Sequence, residues 1–185
     1  MLNLMIVNSS AEDCGKELSG WISCPFTSQE WEDLMVKIKL GSVDESGEYH
    51  DGYTDGEDYY DEYYIGDVDT DYVGVTLSKY DSPFDVSYIC EHIEELTDSQ
   101  KDALKALIDA EGCRDIEEFD SAVDRIRDSD VELFTDKSVY EIARDDVESG
   151  TFPSSWISDY VDYDRLVADC YSNYETTPYG VLALE

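Results

Sequence analysis

LSGWISCPFTSQEWEDLMVKIKLG, residues 18–41, places two periodicities side by side. Leu18 to Cys24 reads as a strand, with Trp21 and Ile22 as bulky core candidates. Thr27-Ser28-Gln29-Glu30 is a capping box, in which the threonine hydroxyl and the glutamate carboxylate each satisfy an N–H at the helix start. Trp31, Leu34, Met35 and Ile38 then fall at i, i+3, i+4 and i+7, one face of a helix, and Gly41 reads as its stop. A strand that feeds a capped helix makes this a region of mixed sheet and helix.

Upstream, Leu2 to Val7 reads as a first strand. Downstream, residues 44–71 hold 12 acidic residues and no Lys or Arg. Six of the 15 tyrosines lie between Tyr49 and Tyr64, and glycines at 47, 52, 56 and 66 break any helical period. This tract reads as a long acidic excursion, part loop and part edge strand. Val73, Val75 and Leu77 alternate, as in a half-buried strand returning to the sheet.

From Pro83 the period becomes helical. Val86, Ile89, Cys90, Ile93 and Leu96 form one stripe; Thr97-Asp98-Ser99-Gln100 is a second capping box, leading to Leu104, Leu107 and Ile108 with Gly112 as stop; Ile116, Phe119, Val123 and Ile126 form a third stripe. Short amphipathic helices with brief connections point to a small bundle. Val131 to Thr135 reads as a strand, and Ser138-Val139-Tyr140-Glu141 caps a helix that ends near Gly150. Pro153 opens a segment with Trp156, Ile157, Tyr160 and Val161; a helix from about Asp164 to Tyr171 and a closing strand from Tyr179 to Leu184 follow. The expected architecture is α+β, an elongated chain of three small lobes: 1–82 with sheet, helix and acidic excursion, 83–129 as a helical bundle, and 130–185 as a second sheet with helices.

Across 185 residues, 46 Asp and Glu stand against 12 Lys and Arg, a formal net charge of -34. The computed pI is about 4.1. A module that works by neutralising phosphates is excluded, because it needs a basic surface, so nucleic acid is not a partner. Docking on an anionic membrane is disfavoured for the same reason. Apolar residues make up 42% of the chain, too many for a disordered acidic polymer, so the chain folds against its own repulsion. Met1 to Ser10 lacks a basic n-region and reads as a strand, not a signal peptide. No stretch approaches 18 apolar residues. The five scattered cysteines, Cys14, Cys24, Cys90, Cys113 and Cys170, have no CxxC spacing and read as free thiols. The expected compartment is the cytoplasm.

The charge is distributed. Residues 1–43 carry net -3, 44–71 carry -12, 72–90 carry -1, 91–132 carry -10 and 133–185 carry -8. No block is positive, and three separated blocks are strongly negative. High solubility or adaptation to salt is the plain explanation. The sharper one is that carboxylates stand in for phosphates. Duplex DNA carries one charge per roughly 1.7 Å of axis, so 34 net charges match about 17 base pairs. The candidate phosphate-mimicking groups are Asp51, Asp55, Glu57, Asp58, Asp61, Glu62, Asp67, Asp69 and Asp71 in the first lobe. In the bundle they are Glu91, Glu94, Glu95, Glu117, Glu118, Asp120 and Asp124; in the last lobe, Asp145, Asp146, Asp159 and Asp162.

Other chemistries find less support. Asp51, Asp55, Gly56 and Glu62 fit positions 1, 5, 6 and 12 of a calcium loop, but Tyr53 sits at position 3. Asp67, Asp69 and Asp71 have the 1, 3, 5 spacing, but Ser78 stands where the bidentate Glu belongs. His50 and His92 are the only histidines, and there is no HExxH, GxSxG or phosphate-cradling Gly-rich loop. No catalytic residue, cofactor or metal is expected. The tyrosines among the acids either cover apolar surface with a polar tip outward or pack against a partner between charge contacts.

These pieces resemble the ArdA family of antirestriction proteins. The opening strand, Gly20-Trp21-Ile22 and the capped helix match its start. Tyr64-Ile65-Gly66-Asp67, then Lys79-Tyr80-Asp81-Ser82 and a helix ending in Glu94-Glu95-Leu96, match its centre. The strongest match is C-terminal: Tyr140-Glu141-Ile142-Ala143-Arg144, Pro153, Tyr160-Val161-Asp162-Tyr163, Leu166-Val167-Ala168-Asp169 and the closing Tyr179-Gly180-Val181. The tract from about Gly41 to Tyr63 is longer and more tyrosine-rich than the family pattern. The family is carried on conjugative plasmids, transposons and phages. The resemblance implies an elongated homodimer of three-lobed chains, joined through the C-terminal lobes, that mimics bent B-form DNA. It implies a non-enzymatic inhibitor that occupies the DNA groove of the specificity and methyltransferase subunits of type I restriction-modification enzymes. The alternatives are a DNA mimic aimed at another DNA-binding protein or nuclease, an acidic calcium-binding module, or a small hydrolase built on paired carboxylates.

Overall fold

The computed structural model describes residues 1–149 and 161–184. Pro153, Trp156, Ile157, Tyr160 and the candidate carboxylate Asp159 lie outside the described residues. The fold is α+β, with several small antiparallel sheets and several helices. The chain forms two compact units, Met1–Glu95 with Cys113–Asp120, and Leu96–Gly112 with Ser121–Glu185.

The first unit is built on β1 (Leu2–Asn8), flanked by β2 (Ser19–Cys24) and β7 (Tyr63–Thr70) in the order β2-β1-β7. Alternation along β1 sends Leu2, Leu4 and Ile6 inward, each 0–1% exposed. Burying each such side chain is worth about 1.5–3 kcal/mol. Helix α2 (Ser28–Lys37) covers this face with Trp31, Leu34 and Met35, and both halves of the Thr27 capping box are present. Gly20 lets the helix approach: a Cβ there would lie 2.5 Å from Leu34 Cδ1. Helix α3 (Pro83–Glu95) buries Val86, Ile89, Cys90 and Ile93, and Ser87 Oγ accepts from the Phe26 N–H at 3.0 Å.

Between α2 and β7 the acidic tract folds as two hairpins. β3 (Gly41–Val43) pairs with β4 (Tyr49–Asp51), and β5 (Tyr53–Asp55) with β6 (Asp58–Tyr60). Tyr60 is fully buried and anchors the second hairpin. β7 is then an edge strand, as the tract suggested.

Four sequence expectations need correction. Trp21 is 48% exposed, because the period of two that buries Gly20, Ile22 and Cys24 turns Trp21 to the opposite face. Helix α2 stops at Ile38 and Lys39 (φ 57), before Gly41, which instead begins β3. Val73 to Leu77 is not a strand. The returning strand is β7, and after it Tyr72 is buried while Val73 is 69% exposed, so the chain turns there. Only Val75 keeps a bridge, to Cys113. A short helix α1 (Ser9–Asp13) was not foreseen; Asn8 caps it, accepting from the Ala11 N–H at 2.7 Å.

The second unit centres on a sheet ordered β8-β10-β9, with β8 (Val131–Phe134), β9 (Tyr174–Thr177) and β10 (Gly180–Leu184). Val181, Leu182 and Ala183 are all buried, so the central strand is covered on both faces. Val181 joins Ile142, Ala143 and Tyr171 in one core cluster, fed by α6 (Val139–Ser149) and α7 (Tyr163–Cys170). Helix α4 (Asp98–Glu111) packs against the same sheet, with Leu104, Leu107 and Ile108 buried. Its Thr97 capping box is formed, and Gly112 (φ 73) ends it. Helix α5 (Ile116–Arg127), whose first five residues belong to the first unit, buries Phe119, Val123 and Ile126, whereas Ile116 is half-buried. β9 escaped the sequence reading because Tyr-Glu-Thr-Thr has no apolar alternation. Among the described residues no helix is long and apolar enough to cross a membrane.

Candidate functional site

The candidate carboxylates lie on every kind of element. Asp51, Asp55 and Asp58 are on the hairpin strands, with Glu57 in the β5–β6 turn. Asp61 and Glu62 sit between β6 and β7, where Ser10 Oγ accepts from both backbone N–H groups at 3.2 and 3.0 Å. Asp67 and Asp69 share the exposed face of β7. That placement depends on a bulge: the register of β7 shifts at Gly66, opposite Met5 and Ile6, so Ile65 faces in and Asp67 out. A Cβ on Gly66 would lie 2.5 Å from Val7 Cγ2. Glu91, Glu94 and Glu95 occupy the exposed last turns of α3. Glu117, Glu118, Asp120 and Asp124 lie on α5, Asp145 and Asp146 on α6, and Asp162 at the N-cap of α7.

Their partners divide them into three groups. Asp55 is gripped by Lys16 at 3.2 Å and Lys39 at 3.3 Å, and Asp58 lies 3.5 Å from Lys16. Asp71 pairs with the terminal amine at 2.7 Å, Asp124 with Arg127 at 3.1 Å, Asp145 with Lys137 at 2.6 Å, and Glu118 with Arg114. A second group is hydrogen-bonded without a cation. Asp51 accepts from the Tyr49 hydroxyl at 2.9 Å and Asp146 from Tyr171 at 2.6 Å. Asp67 accepts from the Val68 N–H, Asp69 from Asn3 Nδ2, and Asp162 from the Arg165 N–H. Glu57, Asp61, Glu62, Glu91, Glu95, Glu117 and Asp120 form the third group and make no ion pair among the described residues. These unpaired charges, with those of the second group, set the field that another molecule meets.

Electrostatics follow the pairing. Bonds from Lys16 and Lys39 hold Asp55 below the usual carboxylate range, and Arg114 does the same for Glu118. Lys16 is pushed up by its bond to the Tyr60 hydroxyl and then by Asp55. Several of the few cations are also lodged on tyrosine rings: Lys16 over Tyr60, Lys39 over Tyr53, Lys79 over Tyr64 and Tyr80, and Arg144 over Tyr140, at 4.7–5.8 Å. The tyrosines therefore hold the protein's own basic groups inside the acidic surface, a role the sequence reading missed. The first unit has 27 acids against 5 bases, net -22, and the second 19 against 7, net -12.

Neither calcium-loop spacing survives as a loop. Asp51 and Asp55 lie on two different strands, and Asp55 is already neutralised by two lysines. Asp44, Glu48 and His50 do bring ligand atoms within 4.8 Å of one another. Asp44 there organises the β3–β4 turn, accepting from Ser46 Oγ at 2.6 Å and from the Ser46 and Glu48 N–H groups at 2.8 and 3.0 Å. These bonds, Ser46 Oγ foremost, drive its pKa far down. His92 packs edge-on to Tyr88 at 4.4 Å, with no nucleophile beside it. The five cysteines are free; Cys14 and Cys170 are exposed, the others buried.

A protein-family model described as Antirestriction protein (ArdA) matches residues 6–183. No curated protein matches the chain.

Proposed function

The chain belongs to the ArdA antirestriction family, and on that premise we propose that it is a non-enzymatic DNA mimic that blocks type I restriction-modification enzymes. The observation that carries this reading is charge without compensation: net -34 on a folded chain, with most of the few cations paired or stacked internally. Such a surface offers a DNA-binding groove what a phosphate backbone offers it, charge-assisted contacts to Lys and Arg with release of counterions. It presents no base edges, so it competes for the groove whatever sequence the enzyme reads. The proposed target is the groove formed by the specificity and methyltransferase subunits. The proposed active form is a homodimer, joined through the C-terminal lobe, in the cytoplasm of a cell receiving mobile DNA.

No single carboxylate is essential in such a distributed contact, so one Asp→Asn change is nearly silent. The test is competition. Purified protein is titrated into a type I methyltransferase bound to labelled target DNA. Displacement at near-stoichiometric protein is expected. A folded protein that displaces DNA from none of several such enzymes would overturn the reading. Abolition of binding by one substitution in a folded variant would overturn the distributed mechanism.

A further inference from the structure

Within the first unit, α2, the hairpin strand β4, the start of β7 and the first turn of α3 surround an open cavity of about 500 Å³. Its walls are aromatic: Trp31, Tyr49, Tyr63 and Phe84. Trp31 is buried and fixed, tilted against Phe84 at 4.8 Å and edge-on to Tyr63 at 5.3 Å. Tyr49 lies across Gly41, where any Cβ would collide with its ring, so the glycine shapes this wall. Met35 and Leu40 add apolar wall, three carboxylates, Glu32, Asp51 and Asp61, also line it, and no Lys or Arg does. Asp51 is tied to Tyr49 at 2.9 Å. Burial pushes both the Tyr49 and Tyr63 phenols up, helped at Tyr49 by the hydrogen bond to Asp51 and at Tyr63 by the charge of Asp51.

We propose that this cavity is a receptor for one guanidinium group, the side chain of an arginine on a partner protein. Flat aromatic faces attract a delocalised planar cation, and carboxylates at the rim accept its fork of N–H donors. A metal ion fits less well. Glu32, Asp51 and Asp61 do not converge as Asp44, Glu48 and His50 do, whereas a guanidinium spans separated acceptors. Assigning the arginine to a partner protein rests on the proposed function, since a DNA-binding groove is rich in arginine. The receptor supplies what the rest of the acidic surface lacks, one shaped contact that fixes register.

The test uses the full chain labelled with ¹⁵N, titrated with ethylguanidinium and, at matched ionic strength, with sodium chloride. Saturable shifts of the Trp31 indole and of neighbouring amides at millimolar ethylguanidinium are expected, absent with salt. E32Q/D51N/D61N should weaken binding at least tenfold, while E91Q/E95Q/E117Q leaves it unchanged; all six positions are exposed or half-buried, and thermal melts check that both variants fold. Equal shifts with sodium chloride, or equal binding by the two variants, would overturn the receptor. In the methyltransferase competition, E32Q/D51N/D61N should lose at least tenfold more potency than E91Q/E95Q/E117Q. Equal losses would overturn the partner-arginine assignment and leave a site for free guanidinium compounds. If ethylguanidinium saturates the cavity but the wild type displaces no DNA, the functional reading falls and the receptor stands.

Discussion

The acidic hairpin tract, residues 44–71, and the helical stretch, residues 91–132, carry nearly the same net charge, -12 and -10. They reach it in opposite ways. The helical stretch has its own cations, and three of them pair locally, Arg114 with Glu118, Lys105 with Asp102 and Arg127 with Asp124, at i,i+3 or i,i+4, while Arg125 reaches Glu111 across 14 residues. The tract has none, and borrows Lys16 and Lys39 from outside it to grip Asp55. Exposed local pairs contribute little net stability and trim the field around a helix that would form without them. The borrowed lysines tie hairpin β5–β6 back to distant chain. In the helical stretch most ion pairs adjust charge; in the tract they position it.

The comparison makes the surface charges equivalent as phosphate mimics and the ties unequal as structure. The largest effect is expected from removing charges in bulk. Converting Asp51, Asp61, Glu62, Asp67 and Asp69 together to amides should weaken methyltransferase binding on the order of 10²-fold at moderate salt, with the log–log salt slope reduced by about 0.9 per lost contact. The same treatment of Glu91, Glu94, Glu95, Glu117 and Asp120 should cost about tenfold less, the difference being the share of Asp51 and Asp61 in the aromatic cavity. A much larger gap than the Asp51 and Asp61 receptor contacts explain would show that one region dominates the interface.

Next in size is the loss of a long-range tie. Asn8 is fully buried, and its side-chain amide donates to the Ile38 and Lys39 carbonyls at 2.9 and 3.1 Å. Asn8→Ala leaves those carbonyls and the Ala11 N–H unsatisfied and should cost about 2–3 kcal/mol in urea unfolding. Thr97→Ala removes a local tie, the α4 capping box, and should cost about 1 kcal/mol. A reversed order would contradict the ranking of long-range ties above local ones.

Lys16→Met should raise amide exchange across Tyr53 to Tyr60 and leave α4 protected, because Lys16 bonds both Asp55 and the Tyr60 hydroxyl. Arg127→Met should change exchange nowhere beyond the last turn of α5. Hydrogen exchange by mass spectrometry separates the two outcomes.

The smallest effects concern pH and salt. Screening relieves self-repulsion, so added sodium chloride should raise the melting temperature at pH 7. Asp55, Glu118, Glu30 and Glu141 all have depressed pKa values, from Lys16 and Lys39, from Arg114, and from the Thr27 and Ser138 N–H groups in the two caps. Their contribution is fully present above the unfolded carboxylate range, about pH 4, and is lost as pH falls through the lower folded values. The stability these groups supply should therefore hold level from pH 8 to about 5, then drop below about 4. A monotonic rise into acid would mean that repulsion outweighs every one of these bonds.

Much of this was legible in the sequence. Capping boxes at Thr27, Thr97 and Ser138 formed as their spacing requires, because they are local chemistry. The stripes of α3 and α4 are buried for the same reason. What stayed hidden depends on long-range pairing. Trp21 looks like core from its size, but its facing is set by the register with β1 and by α2 covering Gly20. Val73 to Leu77 alternates like a strand but finds no strand to pair with, since β7 already holds that edge of β1. At the candidate site, acidity and exposure were readable. The division into gripped, bonded and unpaired carboxylates was not, because Lys16 is 39 residues from the Asp55 it holds.

The most direct test of phosphate mimicry is the salt dependence of affinity for a type I methyltransferase, measured for this protein and for target DNA in parallel from 50 to 300 mM sodium chloride. The account predicts a log–log slope for the protein of several negative units, parallel to that for DNA. A slope within about one unit of zero, with DNA behaving normally, would mean that the protein binds by something other than its charge.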